Sequence, residues 1–463
     1  MHRMTAADAQ SYWTSAAIPN DQFLLYCFAA PDLSPKDMPA VANAALARAA
    51  AVDDLCLRVL DIPGHLDRPY WIAADVHDDQ VVRHRVADWA ECLNRLGHVM
   101  SDQLVPAHRC WRLHLFGPID DAPGGDGPAV ITVLQITHAL GDGRRTSAIA
   151  RALFTTDTDD SGADRDGADR ARSTRSVAHG IPAVSGAVLG AVRFPVDLAT
   201  TVVRGATAYR RARQAPPRPA DGVPLSTLNR PPGHDRVLRT LVLRADRLKP
   251  FGHNVTVGAL TAISEALPEY LADPDRRYAV ELTVGRQPPA ARSAGFRRAR
   301  PRNVFRNCAI DLHTGEADLA SRAARIRDEI AAARAADDDP VRTSARAASA
   351  AAPPVLTHWG IRQFDPAVRP ASVTGVTVVS SVNRGPADLE LPGGSARGAV
   401  RFTAGYPALS PAQGLTHGVH GIGDTVAISV TTSAAVCPDV DRYVDLLSAA
   451  VDRIARLGAP IGE

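Results

Sequence analysis

The chain has 463 residues, 45% of them hydrophobic and 22% charged. That exceeds one ordinary domain, supports two large halves with a sizeable core and excludes global disorder. Lys+Arg number 52 against 50 Asp+Glu, a net charge of +2, so no basic excess exists to neutralise nucleic-acid phosphates.

Six scattered cysteines without a Cys-x-x-Cys pair argue against a structural zinc site and against a disulfide scaffold. The N-terminus MHRMTAADAQSYW carries no apolar stretch of the kind a secretory signal needs. No uninterrupted apolar run of about 18 residues occurs, so no helix is expected to span a bilayer. The expected location is cytoplasmic, or peripheral to the inner face of a membrane.

Helical periodicity covers 38–54, with Val41, Ala45 and Ala49 on one face, and 88–104, with Trp89, Leu93 and Leu96. CWRLHLFG (110–117) alternates as a strand does, and Trp111 belongs to its core side. AVITVLQIT (129–137) is nearly all apolar and β-branched and predicts a strand buried on both faces. GRRTSAIARALF (143–154) returns to helical spacing. Residues 155–176 alternate acids and bases, cannot build a core and read as a flexible linker. Residues 177–214 are apolar but interrupted by Pro182, Arg193, Pro195, Asp197 and Arg204, and end in Arg210, Arg211 and Arg213. This stretch reads either as a crossover helix packed on the protein or as an interfacial helix touching anionic lipid. Residues 215–224 and 331–354 read as surface connections. Further on, 235–248, 279–287, 307–313, 373–383 and 424–434 predict strands. Residues 256–271 and 438–458 predict helices, the last with Pro438 near its start and Gly458 at its end. The division is thus 1–154, a connecting region 155–224, and 225–463.

The chemically informative segment is ITHALGDGRR (136–145), where a buried strand ends and a Gly-Asp-Gly turn leads into a helix. A strand-end histidine has an ordinary pKa of about 6.5 and can accept a proton near neutrality. Acyl transfer to an alcohol needs such a base, because a hydroxyl is a poor nucleophile until its proton leaves. Asp142 is too close to His138 to serve as a second acid, and pairing with an arginine to hold the loop suits it better. A metal is disfavoured, since two ligands four apart lack a third nearby. His417 and His420 lie in a Gly-rich stretch that reads as a loop, and either one is a candidate substrate contact.

THALGDG resembles the H-H-x-x-x-D-G motif of the bacterial wax ester synthase/diacylglycerol acyltransferase (WS/DGAT) family, within the coenzyme A-dependent acyltransferase and condensation-domain superfamily. RCWRLHLFG (109–117) is similar to its R-P-L-W-E strand. STLNRPPGHDRVLRT (226–240) resembles its S-x-x-N…G-x-x-R stretch, and LTVGR (282–286) sits where it has P-V-S-V-R. Asn303 matches a G-N…L-P segment, and SSVNRGPADLEL (380–391) resembles S-N-V-P-G-P. The chain departs from the family at Thr137, where the motif has its first histidine. It departs again at Thr256–Val257, where the family has Asn-Asp, and in the N-terminal segment, where NDQFLLYCFAA (20–30) stands.

The resemblance implies an α/β fold of two chloramphenicol-acetyltransferase-like sandwich domains with the active site in a tunnel between them. It implies long-chain acyl transfer from acyl-CoA, a co-substrate and not a cofactor, to a lipid hydroxyl: diacylglycerol, or a long-chain alcohol. His138 is then the general base, and neither an acyl-enzyme nor a metal is involved. Asp142 is structural, bonded to an arginine of the other half, for which Arg286 is the nominated position. Gly143 keeps the passage to the histidine open beside Thr137, and Asn303 and Asn383 are candidate substrate contacts. The rival readings are acyl transfer in the condensation branch, to a polyketide or peptide hydroxyl or amine, and a catalytically silent lipid-binding relative.

Overall fold

A computed structural model describes residues 1–155, 180–215, 222–286, 301–336, 339–365, 367–394 and 398–458. The expected linker 155–176 lies almost wholly outside the described residues.

Two sheets organise the molecule. The first has five strands in the order Val400–Gly405, Gln22–Ala29, Ala129–Ile136, Trp111–Ile119 and Val81–His84. Its centre is Ala129–Ile136, every residue of which is buried, as its nearly all-apolar run demands. One face carries the helices Ala6–Ser15, Met38–Ala49 and Gly143–Phe154, whose apolar stripes enclose Tyr26, Phe28, Trp111 and Phe154. Trp111 is fully buried and donates its indole N–H to the Leu55 carbonyl at 2.7 Å.

The second sheet has six strands in the order Phe305–Asp311, Ala279–Gly285, Thr377–Asn383, Thr416–Ile422, Thr425–Thr432 and Val237–Arg244. Ala279–Gly285, Thr377–Asn383 and Thr416–Ile422 run parallel, and the outer pairings are antiparallel. The helices Val255–Leu271, Leu319–Ala335 and Val440–Gly458 supply the apolar cover. A third cluster joins the halves: Phe23, Leu25, Leu96 and Phe116 of the first pack with Leu238, Phe402 and Ala427 of the second.

Several expectations are corrected. Gln22–Ala29, an inner strand of the first sheet, lies in NDQFLLYCFAA, a segment given no element in the sequence reading. Val400–Gly405 belongs by sequence to the second half but pairs with Gln22–Ala29 in the first sheet, so residues 225–463 do not close on themselves. GLTHGVHGIG is no loop, because Thr416–Ile422 is a largely buried strand. Gly418 is required there because a Cβ would collide with the Gly405 carbonyl. Residues 331–354 are largely helical, finishing Leu319–Ala335 and forming Pro340–Ala351. Among the described residues one helix, within Gly180–Gln214, is long and apolar enough to cross a membrane by length and composition. The polar interruptions hid that property from a search for unbroken apolar runs.

Candidate active site

The first sheet's central strand delivers His138 to the junction of the halves. After Ile136 the chain makes one 3-10 turn, His138–Leu140, and then enters the helix Gly143–Phe154. Asp142 caps that helix, accepting from the Arg144 and Arg145 amides at 3.2 and 3.1 Å, a favourable place for a carboxylate. Its other oxygen accepts the Val304 amide at 2.9 Å, and its own amide donates to the Arg302 carbonyl at 3.2 Å. Among the described residues Asp142 meets main-chain groups, those of the second half being Val304 and Arg302, and not the Arg286 guanidinium nominated for it. Arg286 adjoins this strip through its backbone, donating to the Val304 carbonyl at 2.8 Å. This stitch is made by main chain because 302–304 runs alongside the loop, offering it the Arg302 carbonyl and the Val304 amide.

Arg302 adds a second stitch. It donates to Asp54 at 2.8 Å and to the Leu140 carbonyl at 3.3 Å, and stacks over Trp71. Arg145 meets the same Asp54. At Gly143 a Cβ would approach the Val382 side chain to 3.0 Å, so a larger residue would press on the strand leading to Asn383.

Around His138 the hydrogen bonds determine the tautomer. The Asn303 Nδ2 group lies 3.1 Å from an Asp8 carboxylate oxygen and 3.0 Å from the His138 carbonyl. Both are acceptors only, so this end of the amide is its NH2 group. Oδ1 then faces His138 Nδ1 at 3.0 Å, and Nδ1 must carry the proton. Nε2 keeps its lone pair. Asp8, buried in the helix Ala6–Ser15, also accepts the Asn303 and Arg302 amides and the Thr5 hydroxyl at 2.7 Å. The arrangement is an Asp8–Asn303–His138 chain in which a carboxylate orients an amide and the amide orients an imidazole.

The His138 ring is half-buried and tilts against Phe305 at 5.2 Å. Desolvation holds its pKa below the ordinary value, opposed by the Asn303 bond and the Asp142 charge. A neutral imidazole whose Nε2 has no hydrogen-bond partner among the described residues is the form a general base requires at neutral pH.

The other expected residues separate. Asn303 is engaged with His138 and Asp8. Asn383 is exposed at its strand end, and its side chain accepts the Gly385 amide at 2.9 Å, a turn-forming role. Thr137 is fully buried with its hydroxyl unpartnered. His417 and His420 are buried strand residues, not loop contacts. Asp8, Asp54 and Arg302 were not singled out by sequence. Asp8 had only its place three residues after Thr5, an N-cap signature, to mark it. Among the described residues no group of three or more His, Cys, Asp or Glu gathers to hold a metal. Two clefts of about 620 and 360 Å³ share Thr227 and Arg230 in the second half and include none of the His138 cluster.

Comparison with known proteins follows this geometry. Residues 303–455 match the family described as the WS/DGAT C-terminal domain. The fold is similar to that of the wax ester synthase/diacylglycerol acyltransferase from Marinobacter aquaeolei VT8, at 16% identity and a TM-score of 0.59, covering 98% of each chain. It is also similar to the starter condensation domain of rhizomide synthetase in complex with C8-CoA and Leu-SNAC. That match has 12% identity and a TM-score of 0.55, over 99% of this chain and 94% of that one. The first condensation domain of the calcium-dependent antibiotic synthetase matches at 15% identity and a TM-score of 0.53, over 100% and 98%. No curated protein sequence matches significantly.

Fold and site thus define a two-lobed α/β protein of the chloramphenicol-acetyltransferase-like class, with a histidine where the lobes meet. Within that class, residues 303–455 match the WS/DGAT C-terminal domain, and the fold as a whole is similar to that of the Marinobacter enzyme.

Proposed function

We propose that the protein is an acyltransferase that moves a long-chain fatty acyl group from acyl-CoA to a lipid hydroxyl. Diacylglycerol is the first acceptor, giving triacylglycerol; a long-chain alcohol, giving a wax ester, is the second. The observation that carries the reading is the His138 tautomer: Nδ1–H bound to Asn303, Nε2 bare, at the junction of the halves. The family match and the fold of the Marinobacter enzyme support it.

In this reading Nε2 takes the acceptor's hydroxyl proton as its oxygen attacks the thioester carbonyl. The tetrahedral intermediate collapses, the C–S bond breaks, and the imidazolium returns the proton to the departing CoA thiolate. Asn303 and Asp8 hold the ring throughout, and the positive charge that forms on it is favoured by Asp142. The ring's nitrogen partner is an amide and neither a hydroxyl nor a thiol, so direct transfer suits the site better than an acyl-enzyme. Holding both substrates at one base supplies much of the acceleration through proximity.

A second reading, acyl transfer to a peptide or carrier-bound amine or hydroxyl, is favoured by the similarity to condensation domains. Purified protein with labelled palmitoyl-CoA is given diacylglycerol, hexadecanol, or an amine acceptor. Labelled triacylglycerol or wax ester from wild type but not from His138→Ala supports the proposal. Product with the amine alone supports the second reading. Equal background from wild type and variant with every acceptor indicates a silent relative.

A further inference from the structure

The helix Gly180–Gln214 leaves a long apolar stripe uncovered. Val184, Val188, Val192, Val196, Val203 and Tyr209 are 61–70% exposed. At 3.6 residues per turn these positions fall within an arc of about 140° and run along about 38 Å of helix. Over Val184–Tyr209 that arc contains no charged residue, and at its C-terminal end it carries Arg210 and Arg213.

The opposite side of the helix is committed to the protein. Gly186 and Gly190 are buried there, against Ile62 and against the Leu66–Asp67 backbone. Arg204 donates to the Ala347 carbonyl at 3.2 Å, and Arg211 donates to the Ser344 hydroxyl. Arg193, Asp197 and Arg204 all fall on this side. A helix bound to its own protein along one side, with charges in its middle, does not cross a bilayer although its length and composition would allow it.

We infer that this stripe is an interfacial membrane-binding surface, its valines seated at the level of the acyl-chain boundary and Arg210 and Arg213 on anionic headgroups. The charges select the occupant. The helix carries Arg193, Arg204, Arg210, Arg211 and Arg213 against Asp197 alone. A second copy would bring cations against cations or against valine, whereas an anionic lipid surface satisfies both the apolar stripe and its basic end. The inference stands apart from the acyl-transfer reading, since it concerns binding and not turnover.

The test is flotation of the full chain with vesicles of phosphatidylglycerol and phosphatidylcholine in equal parts, and with phosphatidylcholine alone. Wild type is expected to float with the mixed vesicles. The triple variant Val188→Asp, Val192→Asp, Val196→Asp is expected to lose binding more than tenfold with unchanged circular dichroism. Arg210→Gln with Arg213→Gln, which leaves the stripe intact, is expected to lower partitioning into mixed vesicles about thirtyfold and to leave phosphatidylcholine binding unchanged. The inference is overturned if wild type stays with the soluble fraction, if the triple variant floats like wild type, or if light scattering shows a dimer that the triple variant dissociates while vesicle binding is absent.

Discussion

His138 and His417 are both tied to strands, one in each sheet, and their surroundings make them opposites. His417 is fully buried, with Nδ1 against the Thr377 hydroxyl at 2.9 Å and Nε2 against the Tyr443 hydroxyl at 2.7 Å. Burial pushes its pKa down to about 3. Both nitrogens are engaged, so it acts as a polar strut between a strand and the helix Val440–Gly458. His138 has one nitrogen held by Asn303 and the other without a hydrogen-bond partner among the described residues, and it is half-buried at the junction of the halves. A depressed pKa is common to both. What distinguishes a base from a strut is an idle lone pair that a substrate can reach.

Substitution separates the two roles. His138→Ala should lower kcat about 10²- to 10⁴-fold while the melting temperature stays near that of wild type. His417→Ala should destabilise the protein by about 2–4 kcal/mol while leaving activity per folded molecule intact. Denaturant melts run beside single-turnover assays measure both, and activity surviving in His138→Ala would end the comparison.

Asn303→Ala should lower kcat by about 10- to 100-fold, the range typical of losing an orienting partner. It should also move the acidic limb of the pH–rate profile to lower pH, because the Asn303 bond favours the protonated ring. A merely structural asparagine would not shift that limb. Asp142→Asn retains a capping oxygen for Arg144 and Arg145 but turns an NH2 group toward the Val304 amide. The expected cost is about 1–3 kcal/mol in chemical denaturation.

Stability should also depend on pH with a definite sign. Burial holds His84 and His114 near 4 and His417 near 3. Unfolded histidines titrate near 6.5, so between these values the unfolded chain binds more protons. Their contribution is complete above about pH 6.5 and is lost as pH falls through the folded-state values. Asp21, pushed up to about 6 by burial, works the other way, its contribution being lost as pH rises through 6. Melts from neutral pH downward should show net loss, and His417→Gln should flatten that slope. The smallest effect belongs to Thr137, whose hydroxyl is buried and unpartnered. Thr137→Val should raise stability by about 1 kcal/mol, measured as a shift in denaturation midpoint.

Legibility from sequence followed the range of the interactions. Ala129–Ile136, the helix Gly143–Phe154 and the helix Val255–Leu271 were readable because apolar spacing and caps are local signals. Gln22–Ala29 was passed over although its apolar run is of the same kind as that of Ala129–Ile136, and Thr416–Ile422 was missed because its glycines resemble a loop. At the site His138 was readable from the strand–turn–helix junction and the family motif. Arg286 was misassigned because nothing in the sequence says that Asp142 meets backbone amides in preference to a side chain.

The sequence by itself determined the two-lobed α/β class, the elements flanking His138 and that histidine as the candidate base, since strand burial and the helix entry are written within a few neighbouring residues. Only the tertiary structure decided which nitrogen is free. That depends on Asn303, 165 residues away, and on Asp8 beyond it. Their pairing is set by how two sheets dock, a long-range packing that no local periodicity encodes.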